Sequence, residues 1–261
     1  MKKTLINQIP YGLPSEIEAL ARGARIYDSS CSPEARVYFI DRDGGYYLKT
    51  AASGTLKREA ELTAYFHALG LGTEVLFYQS GERDLLLTAK IRGEDCTHMV
   101  YLDDPKRLCD TLAERLRALH EISPVNCPVP NRTVDYVATV EENFLAGQFD
   151  PLHFPDDRGY QSAEEAKRIF DAGKHLLKCD VLLHGDYCLP NVMLDDWAFS
   201  GFLDLGNGGV GDRHIDLFWG AWTLWFNLKT DVYRNRFFDA YGRDRIDAHT
   251  LKVIAAAEAF G

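Results

Sequence analysis

The chain has 261 residues, 46% apolar and 26% charged, which suffices for a packed core and excludes whole-chain disorder. Thirty-nine acidic against 29 basic side chains leave a net charge of −10, a surface that repels phosphate backbones and excludes a general nucleic-acid binder. Such a surface attracts cations, although acidity of this order also serves solubility alone. The length fits one large domain or two small ones. Residues 1–14 hold two lysines but no apolar run. Residues 215–228, the most apolar later stretch, are too short for a bilayer and include Asp216, so no membrane association is expected. The six cysteines form no CxxC pair, and reduced thiols in a cytoplasmic protein are expected.

The first 90 residues read as strands around one helix. Arg36-Val37-Tyr38-Phe39-Ile40 and Tyr46-Tyr47-Leu48-Lys49 flank Asp41-Arg42-Asp43-Gly44-Gly45, a hairpin signal. Leu62, Phe66 and Leu69 then repeat at helical spacing, with Gly70 placed to end the helix. Residues 74–79 and 84–88 are further strand candidates, turning at Ser80-Gly81. After Gly93 the texture becomes helical. Asp104-Pro105 reads as an N-cap with proline in the first turn, and Leu108, Leu112, Leu116 and Leu119 line one face. Helices near 136–145 and 162–177 enclose a loop holding Asp150, Asp156 and Asp157. Residues 181–211 are dense in Gly, Asp and Asn, and the chain is helical again from Leu217. The expected fold class is α+β, with a small β-rich part over residues 1–91 and a larger, mostly helical part over 92–261.

The chemistry concentrates where apolar strands end in polar loops. Val181-Leu182-Leu183 leads into His184-Gly185-Asp186, Asn191 follows five residues later, and Gly201-Phe202-Leu203 leads into Asp204-Leu205-Gly206. Phosphoryl transfer needs such a set: a carboxylate to orient and deprotonate a hydroxyl, and Asp and Asn oxygens to hold magnesium on nucleotide phosphates. Two Asx turns closing strand ends would give part of this pattern. A metal-hydrolase cluster of His184, Asp186, Asp204, His214 and Asp216 is another reading, without an HExxH or paired-histidine motif behind it. His184 reads as a buried brace for its loop.

The His-x-Asp-x-x-x-x-Asn spacing followed by Asp-x-Gly is similar to the catalytic and metal loops of protein-kinase-like enzymes. With Gly185 in place of the usual arginine, and with Leu189-Pro190-Asn191 and Gly201-Phe202-Leu203-Asp204-Leu205-Gly206, it resembles the aminoglycoside phosphotransferases, most closely their 3′-phosphotransferase branch. Val210-Gly211-Asp212-Arg213, Asp216, Leu119-His120 and Lys49 extend the resemblance over most of the chain. It implies a bilobal protein-kinase-like fold with ATP and Mg²⁺ bound between a nucleotide-binding lobe and a catalytic lobe. Asp186 would be the catalytic base, with Asn191 and Asp204 on the metal. Lys49 would contact the α- and β-phosphates and pair with Glu59, with Glu61 near enough to compete; on their own these would read as surface charges. No GxGxxG loop is present, and Ser32 in Ser29-Ser30-Cys31-Ser32-Pro33 takes the place of a phosphate-loop donor. Main-chain groups near Ala89 and Ile91 would meet adenine.

On the acceptor side the resemblance assigns Asp156, Asp157, Glu258 and Phe260 to a polycationic aminoglycoside, with no nucleic acid and no obligate protein partner. The sequence also departs from the family pattern. Asn207 stands where an arginine is usual, Ala257 replaces an acid, and Phe226-Asn227 stand where related enzymes place acids. Trp219, Trp222, Trp225 and Phe226 read mostly as core, with one or two able to form an aromatic wall. These departures leave open a kinase of another hydroxylated small molecule, or a nucleotide-binding pseudokinase.

Overall fold

The computed structural model describes residues 3–31, 33–150 and 159–261. They condense into two compact units, and the first runs to Glu94 and also takes in residues 192–206. Its elements are β1 (Thr4–Ile6), α1 (Ser15–Ala21), β2 (Arg25–Asp28), β3 (Ala35–Asp41), β4 (Tyr46–Ala52), α2 (Lys57–Ala68), β5 (Val75–Ser80) and β6 (Arg83–Ala89). The strands form one antiparallel sheet in the order β1-β2-β3-β4-β6-β5. The β3–β4 turn places Asp43, Gly44 and Gly45 at positive φ, the backbone region that glycine enters without steric cost. Tyr38, Ile40 and Leu48 pack with Ile17 of α1 and Ile26 of β2 into one core cluster.

Sequence periodicity passes over β1, β2 and α1. Two strands of three and four residues are too short to show alternation, and α1 buries a single side chain, Ile17. On α2, Leu62 and Phe66 are fully buried, whereas Leu69 follows the last helical residue and is exposed.

β7 (Glu94–Asp95) spans the junction. The second unit continues with α3 (Met99–Leu102), α4 (Pro105–His120), α5 (Arg132–Leu145), α6 (Ala163–Gly173) and β8 (Val181–Leu183). Asp104 caps α4 by accepting the Arg107 N–H at 3.2 Å, and all four expected leucines are buried. The chain then returns to the first unit as the hairpin β9 (Val192–Asp195) and β10 (Ala198–Phe202). Phe202 donates its N–H to Leu71 at 2.8 Å, and Gly93, at φ +86°, lies so near β9 that a Cβ there would fall 2.0 Å from the Leu194 carbonyl oxygen. These contacts place Asp204 in the first unit, at the end of a segment far from it in sequence.

β11 (Gly209–Gly211) pairs antiparallel with β8 in the second unit. α7 (His214–Leu228), α8 (Arg234–Tyr241) and α9 (Ala248–Glu258) follow. α4 packs on α8, and α9 packs on both α6 and α7. No described helix is long and apolar enough to cross a membrane.

Candidate active site

In the first unit, Lys49 lies on β4 opposite Val37 and Leu86. Its Nζ donates to Glu59 Oε2 at 2.7 Å and to Asp204 Oδ1 at 2.8 Å. Burial pulls the ammonium pKa down, but the two carboxylates outweigh it and leave Lys49 raised. Burial likewise raises Glu59, against the pull of Lys49. Glu59 occupies the first turn of α2, while Glu61 pairs with Lys57 at 3.8 Å, so the competition between the two glutamates resolves to Glu59. Asp204 adopts φ 55°, a left-handed turn that Asp tolerates better than most side chains.

Asp84 on β6 has no counterpart in the sequence reading. It is fully buried and accepts the N–H groups of Gly54 and Leu56, both at 2.8 Å, and the Ser80 hydroxyl at 2.6 Å. The carboxylate thereby fixes the entry to α2 and the position of Glu59. An acid inside an apolar strand, Asp84-Leu85-Leu86-Leu87, was the available signal. At the expected adenine segment, Ala89 already donates its N–H to Glu74 and accepts the Thr73 hydroxyl through its carbonyl. Ile91 is buried and packs at Gly201. Ser32 lies outside the described residues; nearby, Ser30 Oγ accepts the Val37 N–H at 2.9 Å.

In the second unit, β8 delivers His184-Gly185-Asp186. The Asp216 carboxylate, fully buried on α7, accepts the N–H groups of His184 at 2.8 Å and Gly185 at 2.7 Å. His120 Nε2 lies 3.1 Å from the same carboxylate, and its Nδ1 is 2.8 Å from the Tyr241 hydroxyl. His184 is buried, and its Nδ1 accepts the Asp186 N–H at 3.2 Å, the bracing role expected of it. Gly185 adopts φ +86°, and a Cβ there would fall 1.9 Å from the Asn207 carbonyl oxygen. No side chain fits, which explains the glycine.

Asn191 Nδ2 donates to the Asp186 main-chain oxygen at 3.0 Å and to its Oδ2 at 2.9 Å. This fixes the rotation of the Asp186 carboxylate and directs the Asn191 amide oxygen away from it. Asn191 Oδ1 and the Asp204 carboxylate are hard oxygen donors of the kind magnesium takes together with phosphate and water. The hydrolase alternative loses two members to other partners: His214 pairs with Asp212 at 2.6 Å, and Asp216 holds the loop. Among the described residues no group of three or more His, Cys, Asp or Glu is placed to hold a metal ion.

Asp186 lines a cavity of about 240 Å³ together with Arg132, Tyr136, Trp219, Glu258 and Phe260. Glu258, on the last turn of α9, accepts the Tyr136 hydroxyl at 2.7 Å. Its burial lifts its pKa to about 7, against the opposing hydrogen bonds of Tyr136 and Trp219; Asp186 adds repulsion and Arg132 attraction. Phe260 is anchored by Asn143, whose amide donates to its carbonyl at 2.7 Å. Arg132 escaped the sequence reading. Its Nε donates to the Asn207 carbonyl at 3.0 Å, which sets a guanidinium into the wall beside the position where an arginine was expected. Asp156 and Asp157 lie outside the described residues. Trp219, Trp222 and Trp225 are half-buried and Phe226 is 46% exposed, so this group is not the core the sequence suggested.

The profile of the phosphotransferase enzyme family matches residues 31–251. A probable aminoglycoside 3′-phosphotransferase of Lactococcus lactis subsp. lactis (strain IL1403) is 53% identical over 249 residues, 95% of each chain. Among solved structures, the aminoglycoside phosphotransferase APH(3'')-Id from Streptomyces rimosus superposes with a TM-score of 0.73 at 20% identity, covering 94% of this chain and 96% of that one. The same enzyme in complex with ADP and streptomycin gives a TM-score of 0.69 at 22% identity, covering 87% and 91%. The fold is therefore the protein-kinase-like fold of the aminoglycoside phosphotransferases, and the chain belongs to the phosphotransferase enzyme family.

Proposed function

We propose that the protein transfers the γ-phosphoryl group of ATP to a hydroxyl of an aminoglycoside, the 3′-hydroxyl of kanamycin-type acceptors, and so confers antibiotic resistance. The observation that carries this reading is the cavity in which Asp186, rotationally fixed by Asn191, faces Glu258 and an aromatic wall. Asp186 orients the acceptor hydroxyl and takes its proton as the oxygen attacks phosphorus. Lys49, steadied by Glu59, holds the α- and β-phosphates, with the Ser32 turn as a further phosphate donor and main-chain groups near Ala89 and Ile91 toward adenine. The Ala89 N–H already donates to Glu74, so Ala89 would meet adenine through its carbonyl, an acceptor with two lone pairs of which Thr73 takes one, and Ile91 through its main chain. When bound, Mg²⁺ neutralises phosphate charge, and Asn191 and Asp204 are the residues that would hold it. Glu258 pairs with an ammonium group of the acceptor, Phe260 packs against its ring, and Asp156 and Asp157 add negative charge.

The 53% identity to a probable aminoglycoside 3′-phosphotransferase supports this acceptor class. A second reading, phosphorylation of another hydroxylated amine, is favoured by Arg132 and Ala257 in the cavity wall, which leave it less acidic than a polycation would select. One experiment separates them: ADP release measured over a panel of aminoglycosides and simpler amino alcohols, paired with kanamycin tolerance of a host expressing the gene. Turnover of aminoglycosides, with kcat lowered about 10²- to 10⁴-fold by Asp186→Asn, supports the proposal. Turnover of amino alcohols alone, in a drug-sensitive host, overturns it.

A further inference from the structure

α9 carries Glu258 in its last turn and begins about 16 Å away, at its N-cap Asp247. That beginning is held by a residue the phosphoryl-transfer chemistry leaves unused. His214 Nε2 accepts the Asp247 main-chain N–H at 2.9 Å, and His214 Nδ1 lies 2.6 Å from Asp212 Oδ1. A ring nitrogen that accepts carries no proton, so the proton sits on Nδ1 and is donated to Asp212. The Asp212 carboxylate also accepts the N–H groups of His214 at 2.9 Å and Lys178 at 2.7 Å. Both Asp212 and His214 are buried. Burial raises the Asp212 pKa, but the hydrogen bonds of His214 and Lys178 outweigh it and leave it lowered, so the ring is anchored on a charged group.

Asp247 passes the constraint into the helix. Its Oδ1 accepts the Thr250 N–H at 2.7 Å and the Thr250 hydroxyl at 2.8 Å, and its carbonyl accepts the Leu251 N–H at 3.0 Å. A helix moves past its neighbours as a rod, by shear along the packed faces. α9 packs on α6 at Gly173, where a Cβ would fall 2.1 Å from Val253 Cγ2, and its cavity end presents Ala255-Ala256-Ala257. Glycine and alanine interlock weakly along a helix axis, so polar ties at the two ends set the position of α9. At the far end these are Tyr136 on Glu258 and Asn143 on Phe260; at the near end it is His214.

We propose that His214 is a positioning residue for acceptor binding: its Nε2 fixes the axial position of α9 and thereby of Glu258 in the cavity that Asp186 also lines. This rests on the reading of Glu258 as the carboxylate that pairs with the acceptor. Lys49, Glu59 and Asp204 belong to the first unit, so the clamp acts on the acceptor and leaves the nucleotide contacts as they are. His214, Asp247 and Thr250 border a second cavity, of about 650 Å³. Water there can take the place of a lost partner, and a variant at His214 folds.

Two substitutions separate the two ends of the ring. His214→Asn keeps an amide N–H near the Nδ1 position for Asp212 and removes the acceptor of the Asp247 N–H. His214→Gln sets an amide oxygen near the Nε2 position and keeps that acceptor. In steady-state kinetics His214→Asn should raise KM for kanamycin A about three- to tenfold with KM for ATP unchanged, and His214→Gln should restore it. Amide hydrogen exchange over residues 247–258 should be faster in His214→Asn than in wild type or His214→Gln. Wild-type KM for kanamycin A in both variants overturns the proposal, as does an equal rise in KM for both substrates. Glu258→Gln checks the reading beneath it: an unchanged KM for kanamycin A there removes Glu258 from acceptor binding. Wild-type exchange over 247–258 in His214→Asn, whichever way that control falls, overturns the clamp itself.

Discussion

The Asp216 carboxylate accepts the main-chain N–H of Gly185 at 2.7 Å, so a side chain on α7 holds the backbone immediately before Asp186. With the His184 N–H and His120 on the same group, one buried acid satisfies two loop donors and one ring. Asp216→Asn preserves shape but turns an amide N–H₂ toward donors. Loss of about 2–4 kcal/mol is expected by urea denaturation, together with a lower kcat from a displaced Asp186. Unchanged stability would show that the carboxylate is dispensable to the loop.

Gly185→Ala tests the same loop from its other side. Positive φ and a Cβ 1.9 Å from the Asn207 oxygen require the loop or Asn207 to move. A destabilisation of about 2–4 kcal/mol and a fall in kcat greater than the rise in nucleotide KM are expected. Equal stability of variant and wild type, measured by thermal melting, would contradict the close approach.

Lys49 depends on Glu59, and Glu59 depends on Asp84. Lys49→Met should raise the KM for ATP and lower kcat, since the phosphates lose their ammonium partner. Glu59→Gln should reproduce much of this, whereas Glu61→Gln, at an exposed pair with Lys57, should not. Asp84→Ala leaves the buried Leu56 N–H and the part-buried Gly54 N–H without their acceptor and should cost about 1–3 kcal/mol. Steady-state kinetics in ATP and urea unfolding separate the four variants.

Glu258 makes activity and stability oppose each other across neutral pH. Its carboxyl is raised from 4.5 to about 7 by burial, so the fold favours the protonated form. The stabilisation it confers is complete below about 4.5 and is lost as the pH rises through about 7. Glu258→Gln should therefore gain in Tm over wild type between pH 5 and pH 8. Binding a cationic acceptor needs the carboxylate, so kcat/KM for kanamycin A should fall as the pH drops through about 7. Tyr136→Phe removes a hydrogen bond that lowers the Glu258 pKa and should move that limb to higher pH. A flat profile in all three proteins would remove Glu258 from acceptor binding.

Much of the site is legible in sequence because its chemistry is local. Asp186 and Asn191 lie five residues apart and meet through a hydrogen bond of 2.9 Å; the leucines of α4 share a face because helical spacing puts them there. Lys49 and Glu59 are ten residues apart and meet at 2.7 Å, but only the fold chooses Glu59 over Glu61. Asp84 shows in sequence only as an acid inside an apolar strand, and the roles of Asp84, Arg132 and Tyr136 come from partners at least 28 residues away, Leu56, Asn207 and Glu258.

The sequence by itself determined the fold class, the motif order and the residue types that phosphoryl transfer requires, since local spacing carries all three. Tertiary structure decided the rest: Asp204 folds with the unit that holds Lys49, Asp216 braces the loop that carries Asp186, and Trp219 lines the cavity beside Asp186 instead of closing into the core. Those outcomes depend on pairings between distant segments, on glycine contacts such as Gly93 at Leu194, and on which face of a helix finds a neighbour. Net charge follows the same division. The value of −10 is written in the composition, yet the described wall of the cavity combines Asp186 and Glu258 with Arg132 and π-faces.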